Sequence, residues 1–561
     1  MAPTRAHPTS TRPQAAGTRP ETAQTPTTHA RAAAPRRRFL RTLGAGAATL
    51  LALDVLESLA AAPAAAAPPA AAPAPAEQPP VAAEAPARAG VLRIAMQSIT
   101  TTDPAFVQSD SDILVAGHIY DYLVDVDPTN NIIPRLATSW TVSDDGLTYV
   151  FKLAEGVTFH DGSPLTAEDV VWTFDRLRDP KLELPTASLY SKIASIAATG
   201  DLEVTFTLSQ PNPFFLYDLS DNHALVVKAG TTDFSKFNGT GPFKVASYLP
   251  EDRIELVAND AYFLEGQPKL AKLEVLFFAD DTAMADALRS GQVDVMMRIP
   301  TPIYQSLKGE ANLVLKDIPT NSFDLVRLRS DRAPGNRPEV IQAIKLATDR
   351  QAIFQQVEQG FGAIGRDSPI GPMYAAYYSE ETPLPARDVA KARELLAQAG
   401  YPDGLKIDLH TPDTGNRPDL AVVLKEQWKE AGIDVNVIVE PESVYFGDNG
   451  WLEVDLGITN WGSRPYPQFY LDVMLKCGAQ WNESKFCDPE FDQLVELAGT
   501  TLNEEERVQA YKEIQRILIE RGPILITSFW PLNTATTARV QGFAPKPFAG
   551  RTDFRLVSIS E

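Results

Sequence analysis

Few residues in this 561-residue chain have the types and spacing that chemistry needs. His160 and Asp161 stand side by side in VTFHDGSPL, followed by Gly162. A histidine next to a carboxylate is half of a general-base site, yet the segment offers no activated nucleophile beside it. The two cysteines, Cys477 and Cys487, are close together with no histidine near them. Zinc would require more ligands. A disulfide closing a short loop is the expectation, worth roughly 2.5–3 kcal/mol in the chain-entropy model, with two buried free thiols as the alternative. Beyond the N-terminal stretch the histidines are His118, His160, His223 and His410. None of them pair at ligand spacing, so neither a metal nor another cofactor is expected. No GxSxG, HExxH or phosphate loop occurs. The abundant carboxylates, 72 in all, make acid pairs for an exported hydrolase easy to imagine and uninformative. These residues assign no catalytic site.

Composition and charge narrow the class further. The chain is 44% hydrophobic and 22% charged, ordinary for a globular protein of two or more domains. Its net charge is −21, and such an acidic body lacks the basic face that nucleic acid requires. The first 60 residues run the other way, with arginines and no lysine. Arg36 and Arg37 precede Arg38-Phe39-Leu40-Arg41, an apolar run from Thr42 to Leu53, and an Ala/Pro-rich stretch from Ala60 to Pro86. Basic, apolar and small-residue blocks in that order predict a twin-arginine export signal over 1–60 and a disordered linker over 61–89. The apolar run is too short for the ~20 residues that span a bilayer, and no lipid-anchoring cysteine follows it. A soluble periplasmic or extracytoplasmic protein, delivered by the twin-arginine machinery, is the expectation.

The elements that must position these residues begin with the apolar strand Val91–Met96. In DGLTYVFKL, Tyr149, Phe151 and Leu153 share one face, and EGVTF after it reads as the returning strand of a hairpin or short meander. Thr166 and Asp169 form a capping box for a helix whose stripe is Val170, Val171, Phe174 and Leu177. A second helix carries Val389, Ala392, Leu395, Leu396 and Ala399 and ends at Gly400. Strand Leu405–Leu409, a helix opened by Pro418 and ended at Gly432, and strand IDVNVIV make a βαβ unit, hence parallel sheet. A further helix is capped by Asn503 and ends at Gly522. No internal repeat is visible.

The run from Pro134 to Leu177, PRLATSWTVSDDGLTYVFKLAEGVTFHDGSPLTAEDVVWTFDRL, together with NGTGPFKV, LRSGQVDV, AIKLATDR, KARELLAQAGYPDG, WNESKFCDPEFDQL and RVQAYKEIQRILIE in that order, resembles the family 5 bacterial extracellular solute-binding proteins of peptide and nickel ABC importers. The resemblance covers essentially all of 90–561. It implies an α/β, two-lobed periplasmic-binding-protein fold of the large variety, with a ligand cleft between the lobes. Lobe one would span 90–322, with an extra subdomain near 122–238, and regain the chain at 527–561; lobe two would span 323–526. Crossing strands are expected near Thr320–Ser330 and Pro523–Trp530. Hinge closure on a ligand is the implied motion. His160-Asp161 then becomes a structural corner away from the ligand.

The same resemblance places ligand contacts at Gln97, Ser98 and Thr101, at Asn321 and Ser322, and in NWGSRPYPQFY, where Trp461, Tyr466 and Tyr470 offer flat apolar surface. One or two of these rings could be core instead. Dipeptide binders carry an acid shortly after the Trp to hold the peptide amine; here that stretch reads Gly462-Ser463-Arg464-Pro465-Tyr466-Pro467. Arg464 in place of an acid favours a carboxylate or phosphate, unless it is solvated or structural. The implied activity is capture of a peptide or peptide-like solute and delivery to ABC permease subunits, by a monomer that is not an enzyme. An oligosaccharide, an opine-like anion or a metal chelate is the alternative cargo. An exported hydrolase or a ligand-dependent sensor belongs to another class.

Overall fold

The structure is a computed structural model that describes residues 88–561 apart from 185, 448, 449, 549 and 561. Arg36, Arg37 and the Ala/Pro-rich stretch lie outside the described residues.

A twelve-stranded mixed sheet forms the frame. Along its main path the order is 243–249, 253–258, 272–277, 91–96, 295–296, 528–537, 313–328, 456–461, 405–412 and 433–440. Strand Val91–Met96 is parallel to Lys272–Phe277 and to Val295–Met296. Strand Leu405–Pro412 is parallel to both Ile433–Glu440 and Leu456–Trp461. Each parallel group therefore needs helical crossovers, which the amphipathic segments supply. Helix Arg417–Lys429, with Pro418 at its start, joins the second group and buries Leu420, Leu424 and Trp428. Its neighbour Val389–Gln398, capped by Asp388, buries Ala392, Leu395 and Leu396. These side chains share one apolar core with Leu409, Ile433 and Ile458.

Between the two parallel groups run the long strand Leu313–Leu328 and its antiparallel partner Ser528–Thr537. Their register slips between Ile318 and Ser322, then resumes with Ser322 opposite Trp530 and Phe323 opposite Phe529. Leu313–Leu328 turns from a half-exposed ribbon at its start to a fully buried strand from Thr320 onward.

Residues 137–208 carry a separate four-stranded antiparallel sheet, in the order 137–142, 148–153, 203–208, 193–200. Tyr149, Phe151 and Leu153 face its core as their alternation predicts. EGVTF, however, forms no strand: Thr158 and Pro164 make only an isolated bridge. The partners of Thr148–Leu153 are instead Ala137–Val142 and Glu203–Leu208. The reason lies in Gly156 and Gly162, both with positive φ, which turn this segment into the corner ahead of helix Ala167–Leu177 rather than a returning strand. That helix has the predicted capping box of Thr166 and Asp169. Its Phe174 meets Phe206 of the sheet edge-on at 5.3 Å. Truncating such a buried ring would cost about 3–5 kcal/mol.

Candidate functional site

Strand Leu456–Trp461 pairs with Leu313–Leu328 so that Trp461 lies opposite Phe323. Beyond Trp461 the chain turns through Gly462–Pro467 and enters a short helix, Gln468–Tyr470. The turn is tied to the long strand: Ser463 N donates to Ser322 Oγ at 3.0 Å, and Asn321 N donates to Ser463 Oγ at 3.0 Å. Tyr470 donates its hydroxyl proton to Gly462 O at 2.8 Å and accepts from Arg464 N at 3.0 Å. Tyr374 donates to Arg464 O at 2.7 Å. The Asn321 amide is engaged too, with Pro369 O as its acceptor and Gly371 N as its donor. Asn321, Ser322, Tyr470, Trp461, Arg464 and Tyr466 are thus brought together. Within that group Asn321 and Tyr470 are fully buried and set the shape of the turn with their polar atoms.

The turn projects two side chains toward the segment Phe214–His223. Arg464 Nη1 donates to Asp221 Oδ2 at 3.3 Å, and its guanidinium lies 4.4 Å over the Phe469 ring. Tyr466 donates its hydroxyl proton to Asp218 and stacks on Phe214, with centroids 5.0 Å apart and planes 15° apart. Tyr217 also packs on Tyr466, with centroids 5.6 Å apart. Asn130 Nδ2 donates to Pro465 O at 2.5 Å. The missing acid after Trp461 is therefore matched by acids on the facing segment, 243 residues from Arg464 in the case of Asp221.

The two acids differ in their environments. Burial raises the Asp221 carboxyl, but His223, which donates from Nδ1 at 2.6 Å, and Arg464 pull it well below the usual carboxylate range. Burial pushes Asp218 up to about 7, against weaker pulls from Tyr466, Lys192 and Asn212. Asp218 and Asp221 were not picked out from sequence. Their only sequence signal is an i, i+3 acid pair in the aromatic stretch NPFFLYDLSDNH.

The remaining sequence candidates sit elsewhere. Gln97 is exposed, and Ser98 and Thr101 are half-buried, at the carboxyl end of strand Val91–Met96. Thr101 is bound to the next turns: its Oγ1 accepts from Asp103 N at 3.1 Å. Asp112, in the first turn of helix Asp110–Ile119, accepts from Thr100. The carboxyl end of parallel strands is where α/β sheets take ligands, so the loop is well placed although its hydrogen bonds are local.

His160 is a corner latch. Its ring nitrogens lie 3.3 Å from Phe237 O and 3.0 Å from Gly241 O, and burial holds it below its ordinary range. Asp161 accepts from Ser163, Asn238 and Lys228. Cys477 and Cys487 form a disulfide with Cα atoms 4.5 Å apart. Among the described residues the single grouping of three metal-ligating side chains is Cys477, Cys487 and Asp492, where both sulfurs are consumed in that bond.

With the geometry in place, comparison with known proteins is direct. The family model for bacterial extracellular solute-binding proteins, family 5 (middle region), matches residues 131–482. Over 509 residues the chain is 30% identical to the probable di/tripeptide-binding protein 5 of Pseudomonas aeruginosa, covering 83% of this chain and 93% of the relative. It is 28% identical over 478 residues to heme-binding protein A of Haemophilus influenzae, covering 79% and 87%. Among solved structures, the periplasmic binding protein DppA of Helicobacter pylori in complex with the peptide STSA superposes with a TM-score of 0.73 at 26% identity, covering 84% of this chain and 98% of that one. The binding protein AgaA of A. tumefaciens in complex with agropinic acid superposes with a TM-score of 0.74 at 24% identity, covering 84% and 99%. With the matching fold, the matched region and these relatives taken together, the chain belongs to the bacterial extracellular solute-binding proteins of family 5.

Proposed function

We propose that this protein captures a peptide or peptide-like solute between the turn 461–470 and the segment 214–223, and hands it to the permease of an ABC importer. The observation that carries this reading is the meeting of two walls from distant parts of the chain, aromatic where Tyr466 stacks on Phe214 and charged where Arg464 meets Asp221. Flat rings accept varied side chains, while a cation and an acid provide orientation. Relatives named as dipeptide, di/tripeptide and glutathione binders favour peptides as cargo. Arg464, where dipeptide binders place an acid, shifts the preference toward a carboxylate-bearing group. The agropinic acid complex of a structural neighbour makes an opine-like anion the second reading.

Lobe one, on this reading, comprises 90–322 and 527–561, and lobe two 323–526. Gln97, Ser98 and Thr101 belong to the first wall, Asn321 and Ser322 to the crossing strand between the lobes, and Trp461, Arg464, Tyr466 and Tyr470 line or support the second wall. The protein acts by binding rather than catalysis, as a monomer outside the cytoplasmic membrane. Among the described residues no helix is long and apolar enough to cross a membrane. Export by the twin-arginine route through Arg36 and Arg37 accounts for the leader.

Native mass spectrometry of the exported protein tests the reading. One small molecule per chain is expected, with a peptide-like mass and at least one carboxylate. A chain that carries no solute and shows no calorimetric response to a panel of dipeptides, tripeptides and opines would remove it.

A further inference from the structure

We infer that Glu483, carried on the disulfide-closed loop Cys477–Cys487, is the positioning residue for Trp461. It fixes the indole so that only the flat face meets a solute. This rests on the reading of Trp461 as a solute contact.

Glu483 is fully buried. A buried carboxylate is costly unless several donors meet it. Three donors converge on it: Trp461 Nε1 donates to Oε1 at 3.2 Å, the Thr459 hydroxyl, with its one proton, lies 2.7 and 2.9 Å from the two oxygens, and Arg327 Nε donates to Oε2 at 3.1 Å. Thr459 and Trp461 project from the same face of their strand, since side chains alternate. Arg327 reaches that face from the neighbouring strand, opposite Gly457. A Cβ at Gly457 would lie 2.8 Å from the Arg327 guanidinium, so glycine makes the room. Glu483 therefore fastens two adjacent strands at the point where the chain leaves for the solute-facing turn.

The loop that carries it is itself fixed. Asn482 Nδ2 donates to Phe486 O at 2.8 Å, and Ser330 N donates to Ser484 O at 2.7 Å. Cys477 and Cys487 stand exposed at its ends while Glu483 points inward. Trp481 of the same loop meets Trp461 at 5.9 Å and 64°. The indole of Trp461 is thus held by its N–H on one side and by a ring on another. Its one polar group is used inside the chain, which leaves shape and apolar contact as what it offers a solute.

Indole ¹H–¹⁵N spectra of the full exported protein test this without a ligand. The chain has seven tryptophans, and W461F assigns the line of Trp461. Trp428, whose Nε1 donates to Thr348 Oγ1 at 2.9 Å in the other core, is the internal control. In E483Q the Trp461 line is expected to move upfield and its proton to exchange at least about tenfold faster, because a charge-assisted bond is lost, while the Trp428 line stays. If E483Q fails to fold, seen as loss of the Trp428 line, C477S/C487S carries the test. There the Trp461 line shifts and broadens with Glu483 still present. An unmoved Trp461 line in the folded variants overturns the assignment. Affinity for the apolar dipeptide Met-Leu, measured alongside, separates the two readings. If the line moves while W461A leaves binding of Met-Leu unchanged, Glu483 still positions Trp461 but Trp461 is not a solute contact.

Discussion

Two buried carboxylates, each facing cations, serve different ends. Asp125 meets Arg135 at 2.7 Å, Lys546 at 2.9 Å and Arg551, all of them buried. Against the penalty of burial, Lys546, Arg135 and Arg551 hold its carboxyl far below the usual carboxylate range. Asp221 meets His223 Nδ1 at 2.6 Å and only a single nitrogen of Arg464, at 3.3 Å, and the Arg464 side chain is 23% exposed. The first cluster fastens the segment 546–555 to strands near 125 and 135 and is saturated. The second spans two walls and leaves donors of Arg464 uncommitted. Saturation marks a joint; on the proposed function, the spare donors of Arg464 are what a solute would meet.

That contrast is open to direct attack, and the largest effect belongs to the joint. Asp125→Ala removes the acid shared by Lys546, Arg551 and Arg135, of which, among the described residues, Arg135 alone keeps a second carboxylate, Asp553 at 2.9 Å, and breaking a buried pair typically costs about 3–5 kcal/mol. Urea unfolding is expected to show a loss of that size, with solute affinity per folded molecule intact. Arg464→Ala should do the reverse. Unfolding free energy changes little, while calorimetry with the solute found by mass spectrometry shows a loss of about 1.5–3 kcal/mol, roughly ten- to hundredfold. Arg464→Lys should recover only part of it, because the planar fork is gone. An Arg464→Ala protein that binds like its parent, or unfolds as readily as the Asp125 variant, would erase the distinction.

The smallest effect is in pH. Asp218 titrates at about 7 when buried under Tyr466, against an ordinary value near 3.9 in the unfolded chain. The folded protein therefore holds a proton there that the unfolded chain has released. This contribution is complete below about pH 4 and is lost as pH rises through 7. Asp125 has the opposite sign, since its depressed carboxyl stabilises above the unfolded value and fails only in acid. Melting temperatures from pH 4 to 8 should slope down more steeply in the parent than in Asp218→Asn. Parallel curves would show that Asp218 does not titrate in this range.

Local features of this fold could be read from the sequence, and partnerships between distant segments could not. The capping box at Thr166 and Asp169 and the helix that buries Leu395 and Leu396 follow from spacing within a dozen residues, and the parallel strands 405–412 and 433–440 from one strand–helix–strand run of 36. EGVTF looks like a strand by its alternation, but Thr148–Leu153 takes its partners from the preceding Ala137–Val142 and from Glu203–Leu208, some fifty residues on. Trp461 and Arg464 stand out as candidates only through the family motif around them. Asp221 and Glu483 were not, because a single sequence of 72 acids does not mark which ones end up buried beside a given side chain. Contacts such as Asp221–Arg464 are products of topology, not of pattern.

The long strand Leu313–Leu328 also sets a timetable. Its partner along the first half is Ser528–Thr537, and Thr320 Oγ1 donates to Trp530 O across a sequence separation of 210. A ribosome delivers roughly 5–20 residues per second, so the earlier strand waits on the order of ten seconds or more for its mate. Parallel groups on either side have all their strands much sooner, and the centre of the sheet is the last part to be assembled. During that interval Phe323, Leu325 and Val326, buried in the finished protein, have an open edge beside them. Synthesis of this chain thus includes an aggregation-prone interval, which chaperones would have to cover until the final strand arrives.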